Sequence, residues 1–383
     1  MKRSLSFLFL LIFLTACTPE LLPVPVTQSP TLAPGTPTPV SVSAPVVSPP
    51  DLVYIHMLDE NNGWGINANA VLRTADGGVT WHNISPASPG PLGFSVLPYF
   101  LDAQHGWMLI PDPTNMFVGT LYRTSDGGAT WTSFPVPFGG GYLHFLDSKQ
   151  GWMMASLTVT AASMAVAIYQ STDGGETWTQ TYINDPNQPG AGDSLPLGGL
   201  KDGLTPIDMQ FAFIGGNTNH VGTIYLYQTQ DSGHSWKQVQ IIAPAGYEQA
   251  QLETVGPTFV VQGVAYLPVT LSSQNGEMEA IYTSHDGGIN WIMTPTLIPF
   301  GGLMDFVSAN DGFVWNGTNF YVTKDGARTW TTVSPDVTFG DRYNIFDFVS
   351  PTIGFVITSD SASGTGSLYK TADGGATWNV IGK

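Results

Sequence analysis

Seven aspartates, Asp76, Asp126, Asp173, Asp231, Asp286, Asp325 and Asp373, recur at intervals of 39 to 58 residues. A carboxylate repeated so regularly invites two chemistries, metal ligation and general acid or base catalysis. The neighbours of each copy point elsewhere. Two residues before the Asp stands a hydroxyl (Thr74, Thr124, Ser171, Thr229, Ser284, Thr323, Thr371), and five after it stands a Trp (Trp81, Trp131, Trp178, Trp236, Trp291, Trp330, Trp378). In five copies Gly-Gly follows directly. A short carboxylate in that setting accepts backbone N–H groups of its own turn, while Gly supplies the positive φ that a Cβ penalises. The seven aspartates are therefore read as turn residues. No catalytic residue, metal or cofactor is assigned.

The elements that hold these turns follow from the flanks. Residues before each Asp alternate apolar and polar, as in Ile168-Tyr169-Gln170-Ser171, and a second strand begins at the Trp. An earlier phrase is clearest in Phe145-Leu146-Asp147-Ser148-Lys149-Gln150-Gly151-Trp152. Related spellings end at Gly63-Trp64, Gly106-Trp107, Gly312-Phe313 and Gly354-Phe355, and units four and five are read as having lost it. Each unit is then four strands, and seven units predict an all-β, seven-bladed propeller of four-stranded antiparallel blades over residues 51–383. Each blade is expected to keep its own strands, with the first blade packed on the seventh.

The repeated phrase resembles the Asp-box (BNR) repeat of sialidase-like propellers. With the Gly-Trp phrase added, the chain resembles the photosystem II assembly and stability factor family. That resemblance implies a binding or assembly-assisting propeller rather than an enzyme. The chain departs from it in Ala327, in the rewording of units four and five, and in its few arginines. Family members present an Arg-rich patch, whereas only Arg73, Arg123, Arg328 and Arg342 follow the linker here.

In a four-stranded blade the Asp turns and the turns before Gly-Trp share one rim. The long variable segments share the other, and loops on a rigid scaffold are where binding usually lives. The candidate binding residues there are Phe134, Phe138, Glu277, Glu279, Phe300, Asp341, Arg342 and Tyr343. Asp112 and Asp185 are acidic neighbours. A glycan is the alternative ligand: a two-carboxylate endoglucanase remains open, whereas a sialidase lacks the converging arginines. A further row, His56, Tyr99, His144, Asp305 and Asp347, with Asp208 for unit four, falls on the innermost strands. It suits either a bound cation or hydrogen bonds between blades, and the second is preferred. Gly192-Asp193-Ser194-Leu195 spells an esterase word, but without the strand and helix that such a Ser requires.

Lys2 and Arg3 precede a short apolar run ending in Leu14-Thr15-Ala16-Cys17. This reads as a signal peptide, 1–16, whose last residues resemble a lipobox with Cys17 as the lipidated residue. Residues 17–50 carry ten prolines and read as a linker. At ~3.1 Å per residue it reaches roughly 100 Å in polyproline geometry. The net charge of −17 argues against nucleic-acid or anionic-lipid partners. The expected protein is a membrane-tethered, extracytoplasmic lipoprotein with a protein partner, or a glycan in the alternative.

Overall fold

The computed structural model describes residues 44–87, 92, 96–259, 263–274, 276–299, 302–339, 345–359 and 366–382. The signal, Cys17 and the linker up to residue 43 lie outside them. The described residues form antiparallel strands and no helix. Four sheets have four strands each, in sequence order, as in Gly141–Phe145, Gly151–Val159, Met164–Ser171 and Thr179–Ile183. The first unit's sheet gains a fifth strand, Val46–Val47, which pairs with Trp81 and His82. The fold thus begins inside the stretch read as linker, because two β-branched residues there cover an otherwise bare sheet edge.

Units four and five share one ten-stranded sheet. The first strand of unit five is broken. Gln251–Glu253 pairs with Asn217 of unit four and with Thr270–Ser272, while Thr258–Phe259 pairs only within unit five. The link between them crosses unit four at backbone contact. A Cβ on Gly203 would stand 1.8 Å from the Val255 carbonyl oxygen, and one on Gly215 would stand 2.2 Å from Gly256 N.

The cores lie between consecutive sheets. Trp64, Trp107 and Trp152 are fully buried. Each donates its indole N–H to the next unit, to Asp102 O, Gly174 O and Asp208 O at 2.9–3.0 Å. Trp64 and Trp107 also stack on Phe100 and Phe145 of that unit, with centroids 4.5 and 3.8 Å apart. Tyr266 repeats the arrangement in unit five, donating to Ala309 O at 2.7 Å and stacking on Phe306. The earlier phrase is therefore reworded in units four and five rather than lost. Register matches Phe213 and Tyr266 with Thr205 and Thr258, as Trp152 is matched with His144. Ala212 and Ala265 stand where the other five units have Gly; Ala212 is paired with Pro206 and Ala265 with Phe259.

Among the described residues the first and last sheets meet without exchanging a strand. Leu52, Ile55, Leu72 and Trp81 of the first sheet share a core with Phe355, Ile357 and Leu368 of the last.

Candidate functional site at the loop-bearing rim

The seven Asp turns have one geometry. The preceding hydroxyl donates to the carboxylate at 2.8–3.0 Å, and the residue four after the Asp donates its backbone N–H at 2.8–2.9 Å. The hydroxyl in turn accepts the N–H of the second turn residue, as from Gly78 at 2.9 Å. Partial burial opposes ionisation of Asp76, Asp126, Asp173, Asp231 and Asp286, but these donors outweigh it and hold the carboxyls below the usual range. At Asp325 and Asp373 the donors themselves dominate, and Asp373 falls to about 2. Five of the Trp residues, Trp81, Trp178, Trp236, Trp291 and Trp378, donate their indole N–H back to the turn at 2.8–3.2 Å. Trp131 reaches Ile84 O of unit one instead. No group of acidic, His or Cys side chains with metal-site geometry occurs among the described residues.

The turns before the second strands lie on the same rim. The residue after the repeated Asp donates to them, as Gly77 N does to Asn61 O and Gly174 N to Lys149 O, both at 2.8 Å. The residue three before the repeated Asp spans units there. Arg73 reaches Ala103 O, Arg123 reaches Asp173 O and Gly174 O, Gln170 reaches Met209 O, and Lys370 reaches Glu60 O. Arg73 also lies 4.4 Å over Trp64 and Lys370 lies 5.0 Å over Phe355. These cations tie neighbouring units together and form no open basic patch.

First strands of neighbouring units lie side by side and line the axis. Their row reaches from unit to unit. Tyr99 Oη donates to Phe145 O at 2.8 Å and lies 3.2 Å from His144 Nε2. Asp305 accepts Phe348 N at 2.8 Å, and Asp347 accepts Met57 N across the closure. Asp208 is not in this row. It caps the turn before the second strand, accepting Gln210 N and Phe211 N at 2.7 Å, and Thr205 holds the row position. Burial pushes Asp305 up to about 7, with Asp347 adding repulsion, and burial pushes Asp347 up to about 6. Burial also pushes His56 and His144 down to about 4. His56 is surrounded by protein, yet 38% of its side-chain surface is open, because it faces the axis.

The loop-bearing rim carries groups that the turns do not consume. A depression of about 420 Å³ is walled by Leu97, Tyr142, Val159, Met164 and Leu200, with Asp202 at its edge. Asp202 accepts Asn217 Nδ2 at 3.0 Å. Burial and the charge of Glu253 raise its carboxyl, and burial together with Asp202 and Glu253 raises the Tyr142 hydroxyl to about 12. Lys201 faces away. Its ammonium donates into a cage of carbonyl oxygens from Met164, Pro196, Leu197, Gly198 and Gly199 at 2.7–3.3 Å. Burial pulls it down to about 8.

Two candidate rim residues are not at the surface. Phe138 is buried against Tyr169 and Trp178, because the connection from unit two to unit three drops it between the sheets. Glu279 is buried between Thr270 and the added strand Ile298–Pro299. It accepts Thr270 Oγ1 at 2.9 Å, and burial pushes it up to about 8. Phe134 is half-buried under Arg123 on the outer strand, and Glu277 is exposed near a hairpin tip. Phe300, Asp341, Arg342 and Tyr343 lie outside the described residues. Ser194 of the esterase word accepts Trp236 N at 3.1 Å, while Asp231 is held in its own turn. Tyr142, Asp202 and Glu253 escaped the sequence reading. Their signal was position, at the rim ends of first strands, which lie upstream of the repeated phrases and, in units four and five, upstream of reworded ones.

No family model matches the chain. A xyloglucanase from Paenibacillus sp is 28% identical over 361 residues, covering 87% of this chain and 25% of that protein. The photosystem II assembly lipoprotein Ycf48 of Synechococcus sp. (strain CC9902) is 24% identical over 288 residues, covering 73% of this chain and 74% of its own. This chain thus spans a quarter of the first relative and about three quarters of the second. Among solved structures, YCF48 bound to D1 peptide matches with a TM-score of 0.49 and 16% identity, over 90% of this chain and 97% of that one.

Proposed function

We propose that this chain is a lipid-anchored, extracytoplasmic, seven-bladed Asp-box propeller that binds a protein partner and assists assembly of a membrane complex. The observation that carries this reading is the match to the Synechococcus assembly lipoprotein, which runs through about three quarters of both chains. The chemistry of the repeats supports it, since the repeated carboxylates are held inside their own turns and the long donors are spent between units. Cys17 would hold the acyl chains and the Pro-rich segment would lift the propeller from the bilayer, while the loop-bearing rim meets the partner.

Crosslinking of the tethered protein in its host, followed by mass spectrometry, tests the reading. Recurrent capture of one membrane-complex subunit is expected, and capture of none, in repeated trials, overturns it. Glycan binding or cleavage is the second reading, favoured by the xyloglucanase match across 87% of this chain. Buried Glu279 is out of reach of a sugar, which leaves Asp202 and Glu253 as the described acids nearest the depression. Release of reducing ends from xyloglucan would establish that reading instead.

A further inference from the structure

We propose that the depression between Tyr142 and Asp202 docks one cationic side chain, an Arg or Lys on a segment of the protein partner, against Tyr142 and the Asp202 carboxylate. The inference rests on the protein-binding reading and adds the chemistry of what is bound.

Shape, charge and the fate of the chain's own cations all bear on it. The walls from Leu97, Tyr142, Val159, Met164 and Leu200 suit the aliphatic stem of a long cationic residue. Tyr142 is 37% exposed and offers a ring for a guanidinium to lie on. Asp202 has a neutral hydrogen-bond donor in Asn217, and exposed Glu253 adds a second negative charge nearby. Lys201, its neighbour in sequence, acts on it only from beyond ion-pair distance, with its ammonium held in the carbonyl cage. No Lys or Arg pairs with a carboxylate within 4.0 Å among the described residues. Lys201 offsets part of the Asp202 charge, but with Glu253 beside it and a chain net charge of −17 the rim stays acidic and selects a cation over an anionic lipid. A neutral glycan would stack on Tyr142 and donate hydroxyls to the two acids, but without the charge attraction that a cation adds.

The test is titration with a Gly-Ser peptide carrying two arginines, beside the same peptide with citrulline, which keeps the shape and loses the charge. The arginine peptide is expected to bind at least tenfold more tightly. Asp202→Asn should weaken it at least tenfold and Tyr142→Ala severalfold. Glu176→Gln, an equal charge change at an exposed turn on the opposite rim, should leave it unchanged. Equal binding of both peptides, or equal losses in Asp202→Asn and Glu176→Gln, overturns the site. Displacement of the arginine peptide by xyloglucan oligosaccharide also overturns it, in favour of a glycan. Crosslinking separates the two levels. A partner captured equally by wild type and Asp202→Asn leaves the protein-binding reading standing and removes this site. Charge-dependent peptide binding with no partner captured does the reverse.

Discussion

The ammonium of Lys370 lies 3.0 Å from the backbone carbonyl oxygen of Glu60, 310 residues earlier in the chain. It is the closing member of a series in which Arg73, Arg123 and Gln170 reach the following unit in the same way. Lys370→Met keeps the stem over Phe355 and removes the donor. Because the bond is solvent-exposed, the expected loss is about 1 kcal/mol, read as a lower denaturation midpoint with an unchanged denaturant slope. A change in slope as well would show that the ring opens rather than weakens.

Thermal stability should fall between pH 6.5 and 8. Asp305 and Glu279, raised to about 7 and about 8, each contribute stability that is complete below the unfolded carboxyl range and is lost as pH rises through the folded value. Asp347, raised to about 6, acts in the same sense lower down. His56 and His144, lowered to about 4, act oppositely between about 4 and 6.5, so the upper window is free of them, and there only the onset of Lys201, lowered to about 8, offsets part of the fall. The groups facing Asp347 are His56, Tyr54 and Asp305, and those acting on Glu279 are Thr270 and Glu253. With ~1.4 kcal/mol per proton per pH unit, a fall of ~1–2 kcal/mol is expected. Glu279→Gln, which keeps an acceptor for Thr270, should flatten most of it. A profile flat or rising over this window in the wild type would contradict the burial of both acids.

Below pH 4 the turns take over. Their carboxyls are lowered, so their stability is present above the unfolded range and is lost as pH falls towards the folded values, about 2 for Asp373. Asp126→Ala leaves Thr124 Oγ1 and the N–H of Thr130 without their acceptor. A loss of about 1–2 kcal/mol is expected, with a correspondingly shallower acid limb. An unchanged acid limb would mean that Asp126 ionises as freely in the fold as outside it.

One substitution should stabilise. Ser232 has φ +63° at the turn position that the other six units give to Gly. It is half-buried with a small side chain, so Ser232→Gly removes backbone strain with little loss of packing. Set against the added freedom of the unfolded chain, a gain of about 0.5–1 kcal/mol is expected from chemical denaturation. No gain would place the strain outside this residue.

Much of this was legible because it is local. The hydroxyl, Asp and Trp of each phrase act within a few residues of one another, so spacing alone locates the turn, its strands and its shared rim. What was hidden depends on other units. Asp208 was assigned to the axial row because Ala212 and Phe213 disguise the Gly-aromatic pair that would have set its register. Phe138 and Glu279 read as rim residues in sequence because their cover, the core between units two and three and the strand Ile298–Pro299, comes from distant segments. The strand Gln251–Glu253 joins two units through one pairing with Asn217, which no repeat predicts.

Lys201 is the least legible of these and the most consequential for the rim. Its ammonium has three protons for five carbonyl acceptors, and four of those belong to the run from Pro196 to Gly199, which turns around it. Asn184 Nδ2 and the Tyr182 hydroxyl also contact this insert, yet they reach only Leu195 and Pro196. The remaining residues are held by two backbone bonds, Met164 N to Leu197 O at 3.1 Å and Gly199 N to Ala162 O at 2.9 Å, together with the cation. Lys201→Met fills the same volume and removes the ammonium donor from all five carbonyls, of which Leu197 O keeps the Met164 N–H, so about 1.5–3 kcal/mol should be lost. The loss should be local, with new proteolytic cleavage between Pro196 and Gly199 under conditions where the wild-type insert resists. If Lys201→Met instead unfolds globally with no early cleavage, the cage is part of the central framework rather than a clasp for the rim.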